Sequence, residues 1–211
     1  MTELVFILDR SGSMAGLEAD TIGGFNSMIA KQKKESGKAL VSTILFNSES
    51  VVITDRLPLD EVMPMTEEEY FTCGSTALLD AVGGAIRHIG HIHKYARRDD
   101  VPEKTLFVII TDGCENSSRR YDFKTVRRMI EHEKEKYGWE FLFLGANIDA
   151  AAEAERFGIC ADRAVNYKCD EAGTALNYEV VGAAVCSIRA SGAISADWKR
   201  RIDEDVEQRG R

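Results

Sequence analysis

The sequence lacks several features that would place it in a well-known class. Its five cysteines include no Cys-x-x-Cys pair, so neither a disulfide framework nor a structural zinc site is predicted. No apolar run approaches the roughly 20 residues that cross a membrane. There is no basic excess either, because 27 Lys and Arg stand against 35 Asp and Glu, a formal net charge of −8. We therefore expect neither nucleic acid nor a membrane as the main partner.

The first residues, Met1-Thr2-Glu3, lead directly into an apolar run, without the basic start and cleavage site of a secretory signal. We expect a cytoplasmic protein with reduced thiols. A chain of 211 residues is the right length for one α/β domain, and we predict a single domain over 1–211.

Strand and helix patterns alternate along the chain with few of the prolines that would interrupt them, since there are only three. The predicted strands cover 4–8, 38–46, 51–57, 106–110, 139–144 and 163–167, and the predicted helices 16–36, 77–95, 123–137, 150–157 and 174–188. A loop is predicted over 59–71, and a fraying surface helix in the charged tail 196–211. This order indicates a doubly wound α/β fold with a mostly parallel central sheet, one antiparallel edge strand and helices on both faces.

The apolar run 4–8 ends abruptly in a polar segment. A strand without polar alternation is typical of a central parallel strand that is covered on both faces, and ligands gather at the carboxyl ends of such strands. Asp9, Ser11 and Ser13 follow this run at every second position. One carboxylate and two hydroxyls form an oxygen cluster suited to a hard divalent cation, so they predict half of a magnesium site.

The other half is predicted at the ends of other strands. The apolar run 106–110 stops at Thr111-Asp112-Gly113, which makes Asp112 the second carboxylate. Between the two strands, Gly74-Ser75-Thr76 precedes a long amphipathic helix, and of its two hydroxyl residues Thr76 is the better placed.

A plainer interpretation is that Asp9, Ser11 and Ser13 only cap the next helix, because Ser and Asp satisfy free backbone N–H groups at helix starts. For these three residues alone the two interpretations are about equally good. Thr76 and Asp112 favour the metal interpretation, since unrelated caps would not complete an oxygen shell.

With Thr76 and Asp112, the pattern Asp9-x-Ser11-x-Ser13 resembles the metal-ion-dependent adhesion site (MIDAS) of von Willebrand factor type A (vWA) domains. In its overall sequence the chain is similar to the free-standing bacterial members of the family, including those linked to tellurite resistance. The resemblance implies a Rossmann-like fold in which the five residues bind one Mg²⁺ or Mn²⁺. It also implies a non-enzymatic protein-interaction module, in which the Glu or Asp of a partner protein completes the metal's coordination.

Two alternatives remain open. The chain could be a scaffold subunit of a bacterial ATPase or stress-response complex, with a structural metal. It could also be a Mg-dependent enzyme, because an Asp after the first strand resembles the nucleophile of haloacid-dehalogenase-type phosphatases. Those enzymes need a second Asp two residues later as general acid, and here that residue is Ser11. Catalysis is therefore the weaker hypothesis.

The remaining cysteine, aspartate and histidine residues of interest have simpler expected roles. Cys73 and Cys114, each close to a predicted ligand, are interpreted as small packing residues, with a redox-sensitive pair as the alternative. Asp149 is expected to cap a helix rather than bind metal. The four histidines are expected to lie in solvent.

Overall fold

A computed structural model describes residues 1–210. Its centre is β1, Thr2–Asp9, in which every residue is buried. β1 pairs in parallel with β2, Ala39–Phe46, on one side and with β4, Lys104–Thr111, on the other. β3, Ser50–Pro58, is the antiparallel edge strand beside β2, while β5, Glu140–Gly145, and β6, Ala164–Asn166, continue the parallel part. The sheet order β3-β2-β1-β4-β5-β6 confirms the predicted doubly wound fold.

Helices cover both faces of the sheet because side chains alternate along β1. Leu4, Phe6 and Leu8 pack in one apolar core with α1, Glu18–Gln32, and α5, Glu171–Ser191. Val5 and Ile7 pack in the other core with α2, Leu78–Tyr95, α3, Phe123–Tyr137, and α4, Ala150–Arg156. None of the helices within 1–210 combines the length and apolar character that a membrane span requires.

The segment 59–71 matches the predicted loop, with a single 3₁₀ turn at Leu59–Glu61. It is nevertheless well anchored, because Val62, Met65 and Tyr70 are buried in the α1 core. The side-chain amide of Asn26 exchanges two hydrogen bonds with the backbone of Met65, so the loop has a defined path over α1 toward the end of β1.

One histidine departs from expectation. The Nε2 atom of His93 lies 2.6 Å from Glu3, whose side chain is fully buried at the start of β1. Arg56 donates two further hydrogen bonds to the same carboxylate. The expectation of a solvent-exposed imidazole was therefore wrong for His93, because a buried carboxylate needs charged or polar partners.

The charged tail is also more ordered than predicted. It forms α6, Arg200–Arg209, which is docked rather than fraying. Trp198 and Ile202 are buried in the α1–α5 core, and the Trp198 indole donates to the carbonyl of Asp162. Arg209 at the far end pairs with Asp170. Two apolar residues four positions apart hold the otherwise polar helix in place.

We predict that Trp198→Ala lowers the free energy of unfolding by about 3 kcal/mol, because it removes a buried indole and its hydrogen bond. Chemical denaturation measures this loss, and hydrogen exchange should show α6 losing protection first. Arg200→Ala is the control, since Arg200 is largely exposed. A Trp198→Ala protein as stable as this control would mean that α6 is not held by the indole.

Candidate functional site: a metal centre at the strand ends

Asp9 and Asp112 lie at the carboxyl ends of β1 and β4, which are neighbours in the sheet. β1 ends at Asp9, and the chain turns through a 3₁₀ segment at Gly12–Met14. β4 ends at Thr111, one residue before Asp112. The two carboxylates therefore approach each other where the strand order reverses direction, the usual ligand position of such sheets.

Hydrogen bonds connect the predicted residues of the first and last motifs. The backbone N–H of Ser11 donates to Asp9 Oδ1 at 2.7 Å. The hydroxyl oxygens of Ser11 and Ser13 lie 3.1 Å apart, and the Ser13 hydroxyl donates to Asp112 Oδ1 at 2.6 Å. Four of the five predicted side chains thus form one continuous polar cluster.

Thr76, the fifth residue, reaches the cluster from the loop before α2. A β-carbon on Gly113 would lie 3.6 Å from Thr76 Oγ1 and 3.8 Å from Ser13 Oγ, so both hydroxyls border the same small space. The loop is joined to the first motif by a backbone bond from Gly12 N–H to the Gly74 carbonyl. The backbone N–H of the preceding residue, Ser75, donates to the Ser48 hydroxyl.

The electrostatics of the cluster suit a cation. Asp9 and Asp112 are buried, and within 1–210 neither forms an ion pair. Burial raises the pKa of both carboxyls, and the nearby Asp112 charge raises that of Asp9 further. The adjacent cation, Arg10, instead donates to the Glu69 carbonyl and lies over the Phe71 ring. A bound divalent ion would supply the missing positive charge.

The chemistry of the available donors narrows the choice of ion. Within the described part of the chain, no three His, Cys, Asp or Glu side chains are grouped as metal ligands. The cluster offers two carboxylates and three hydroxyls, which are hard oxygen donors. Such donors fit Mg²⁺ or Mn²⁺.

Two side chains that were not predicted hold the Asp9 segment. The hydroxyl of Thr111 donates to Asp9 Oδ2 at 2.6 Å, and the phenol of Tyr70 donates to the Asp9 carbonyl. Thr111 was visible in the Thr-Asp-Gly motif, but its role depends on the pairing of β1 with β4. Tyr70 lies 61 residues from Asp9, so no local pattern could connect them.

Thr76 is held by the segment that follows Asp112. Asn116 bonds to both backbone groups of Thr76, with its side-chain oxygen accepting from the N–H and its own N–H donating to the carbonyl. The carboxylate of Glu115 accepts hydrogen bonds from Leu79 N–H and Ser118 N–H. These contacts fix the start of α2 beside Asp112, and they were not predicted from the sequence.

The cysteines differ from expectation. Cys73 and Cys114 are free and exposed, which contradicts the packing role predicted for them. The sulfur of Cys169, which was not singled out in the sequence, lies 4.0 Å from Asp112 Oδ2. By contrast, the capping role of Asp149 is confirmed, since its side chain accepts from Ala152 N–H at the start of α4.

No protein-family profile and no curated protein matches the chain. Several solved structures, however, match its fold. The vWF domain of the type V pili tip protein Mfa5 from Porphyromonas gingivalis matches 92% of this chain and 98% of its own, with TM-score 0.62 and 9% identity. A von Willebrand factor type A protein from Catenulispora acidiphila matches 88% of this chain, with TM-score 0.59 and 16% identity. Proximal thread matrix protein 1 from the mussel byssus, with a zinc-occupied MIDAS motif, matches 88% at TM-score 0.58 and 13% identity.

The chain therefore has the fold of a von Willebrand factor A domain. It spans less than half the length of the Catenulispora and mussel proteins, 43% and 46% respectively. The vWA fold places the carboxylate and hydroxyl cluster at the carboxyl edge of its sheet, where β1 and β4 meet.

We predict that Asp112→Asn stabilises the metal-free protein at neutral pH, because it removes a buried negative charge and keeps an oxygen to accept from Ser13. The raised pKa of Asp112 means that the folded wild type binds this proton more tightly than the unfolded chain. Wild-type stability should therefore increase as pH falls through the raised pKa, and the variant should gain less. Denaturation in chelator at several pH values measures both effects, and a destabilised variant with an unchanged pH slope would contradict this account.

Proposed function

We propose that this chain is a metal-dependent protein-interaction module. In the proposal Asp9, Ser11, Ser13, Thr76 and Asp112 bind one Mg²⁺ or Mn²⁺, and a Glu or Asp of a partner protein completes the coordination. The observation that carries it is the pair of buried, unpaired carboxylates surrounded by three hydroxyls. The proposal also places the protein in the cytoplasm of a bacterium, as a single domain similar to tellurite-resistance vWA proteins.

The residues have distinct tasks. Asp9 and Asp112 supply negative charge, and the hydrogen bonds from Thr111 and Ser11 hold Asp9 in one orientation. Ser11, Ser13 and Thr76 add oxygen atoms without adding charge, so an approaching carboxylate meets little extra repulsion. A metal held by these residues would supply the positive charge and the coordination position that a partner's carboxylate needs.

The arrangement favours binding over catalysis. Both carboxylate oxygens of Asp9 accept hydrogen bonds from the protein, which makes it a fixed ligand rather than a free nucleophile. Two of the histidines, the commonest general bases, are engaged elsewhere: His88 with Asp55 and His93 with Glu3.

We predict that chelator-stripped protein binds Mg²⁺ and Mn²⁺ in a calorimetric titration and that Asp9→Ala abolishes the binding. Thr76→Ala should weaken it about tenfold or more, since one ligand is lost. Asn116→Ala should weaken it less, because Asn116 positions Thr76 without entering the cluster. Asp149→Asn is the matched control, since Asp149 also follows a parallel strand but caps α4. Equal loss in this control would show that the binding is non-specific.

The capture of a partner carboxylate has its own test. N-acetylglutamate amide and N-acetylglutamine amide differ only at the carboxylate, so they form a matched pair of probes. We expect Mn²⁺-loaded protein to broaden the side-chain NMR signals of the glutamate probe much more than those of the glutamine probe. Asp112→Asn protein with the same Mn²⁺ should broaden neither. Equal broadening of the two probes by the wild type would exclude carboxylate capture while leaving metal binding intact.

A further inference from the structure

A second surface lies on the helices rather than at the strand ends. α2 and α3 lie side by side on one face of the sheet, and an open groove of about 510 Å³ runs between them. Its α2 residues begin at Ile86, eight positions after the start of α2 at Leu78, which corresponds to about 12 Å along the helix. The groove is therefore separate from the predicted metal cluster.

The floor of the groove is apolar. Ile86 is buried there, Met129 is partly buried, and Gly90 leaves room because it has no side chain. A β-carbon on Gly90 would meet only Glu133 at 3.6 Å and Trp139 at 3.9 Å. An apolar side chain from outside could thus be accommodated at this position.

The rim of the groove is cationic. Arg87 and Arg128 stand on its two sides, both exposed, and within 1–210 neither forms an ion pair. Glu133 is the one carboxylate in the described lining, and its burial raises its pKa.

Arg127, next to Arg128 on α3, has an ion-pair partner and does not line the groove. It pairs with Glu131 at 2.8 Å, and its side chain packs by Gly158, at the start of the segment after α4. Arg87 on α2 and Arg128 on α3 thus line the groove without an ion-pair partner among residues 1–210, in a chain whose formal net charge is −8.

We propose that the α2–α3 groove binds an acidic, amphipathic helix of a partner protein. Apolar residues on successive turns of that helix would rest on Ile86, Gly90 and Met129, and its carboxylates would pair with Arg87 and Arg128. The complementary charge selects an acidic partner, and the apolar floor selects a folded amphipathic segment over a purely polar one. This inference does not depend on metal binding.

The test uses a labelled synthetic peptide of about 18 residues, five helical turns, with leucines on one face and glutamates on the other. Fluorescence anisotropy in chelator follows its binding to the full chain. We expect saturable binding that Arg87→Glu with Arg128→Glu weakens at least about tenfold. Arg127→Glu reverses one charge outside the groove lining and should change affinity less than about twofold, whereas Arg128→Glu alone, the same charge change inside the lining, should weaken binding more than this control does.

Two further probes separate the alternatives: a peptide with lysine in place of glutamate, and a single-stranded oligonucleotide of similar charge. Neither is expected to bind as tightly as the acidic peptide. Thermal unfolding checks that all variants are folded, which is expected because the substituted arginines are exposed. Absence of acidic-peptide binding, equal loss with Arg127→Glu, or tighter binding of the oligonucleotide would each overturn the proposal.

Discussion

The buried pair of carboxylates at the ends of β1 and β4 is the constraint on which the site depends. Asp9 and Asp112 are both removed from solvent, and the described residues place no cation against either. Burying two like charges without compensation is costly, and the raised pKa of each carboxyl expresses that cost. A divalent cation would offset the cost of burying these two charges. The proposed metal would therefore increase the free energy of unfolding as well as take part in binding.

Hydrogen bonds from the surrounding segments hold the backbone and side chains of the site in place. Tyr70 and Thr111 hold the Asp9 segment, while Glu115 and Asn116 tie Thr76 and the start of α2 to the loop after Asp112. The cluster therefore rests on the ends of β1 and β4, which are buried along almost their whole length, and on the start of α2. The same fold places the α2–α3 groove on the helices rather than at the strand ends.

Much of this could be predicted from the sequence. The unbroken apolar runs in β1 and β4 predicted central strands, and a parallel sheet brings strand ends together, which is why the five cluster residues could be chosen in advance. The contacts between distant residues could not. His93 meets Glu3 across 90 positions, and Asn116 meets Thr76 across 40. The docking of α6 was not predicted because Trp198 and Ile202 are isolated apolar residues in a charged segment. Their burial depends on the surface that β6 and α5 provide.

The most direct test of the central claim is a crystal structure of the protein grown with Mn²⁺, with diffraction data collected near the manganese absorption edge. Our account predicts one strong anomalous peak within coordination distance of Ser11, Ser13 and Thr76, with Asp9 and Asp112 bound to it directly or through water. A well-ordered structure with no peak there, or with manganese only at surface carboxylates, would contradict the account.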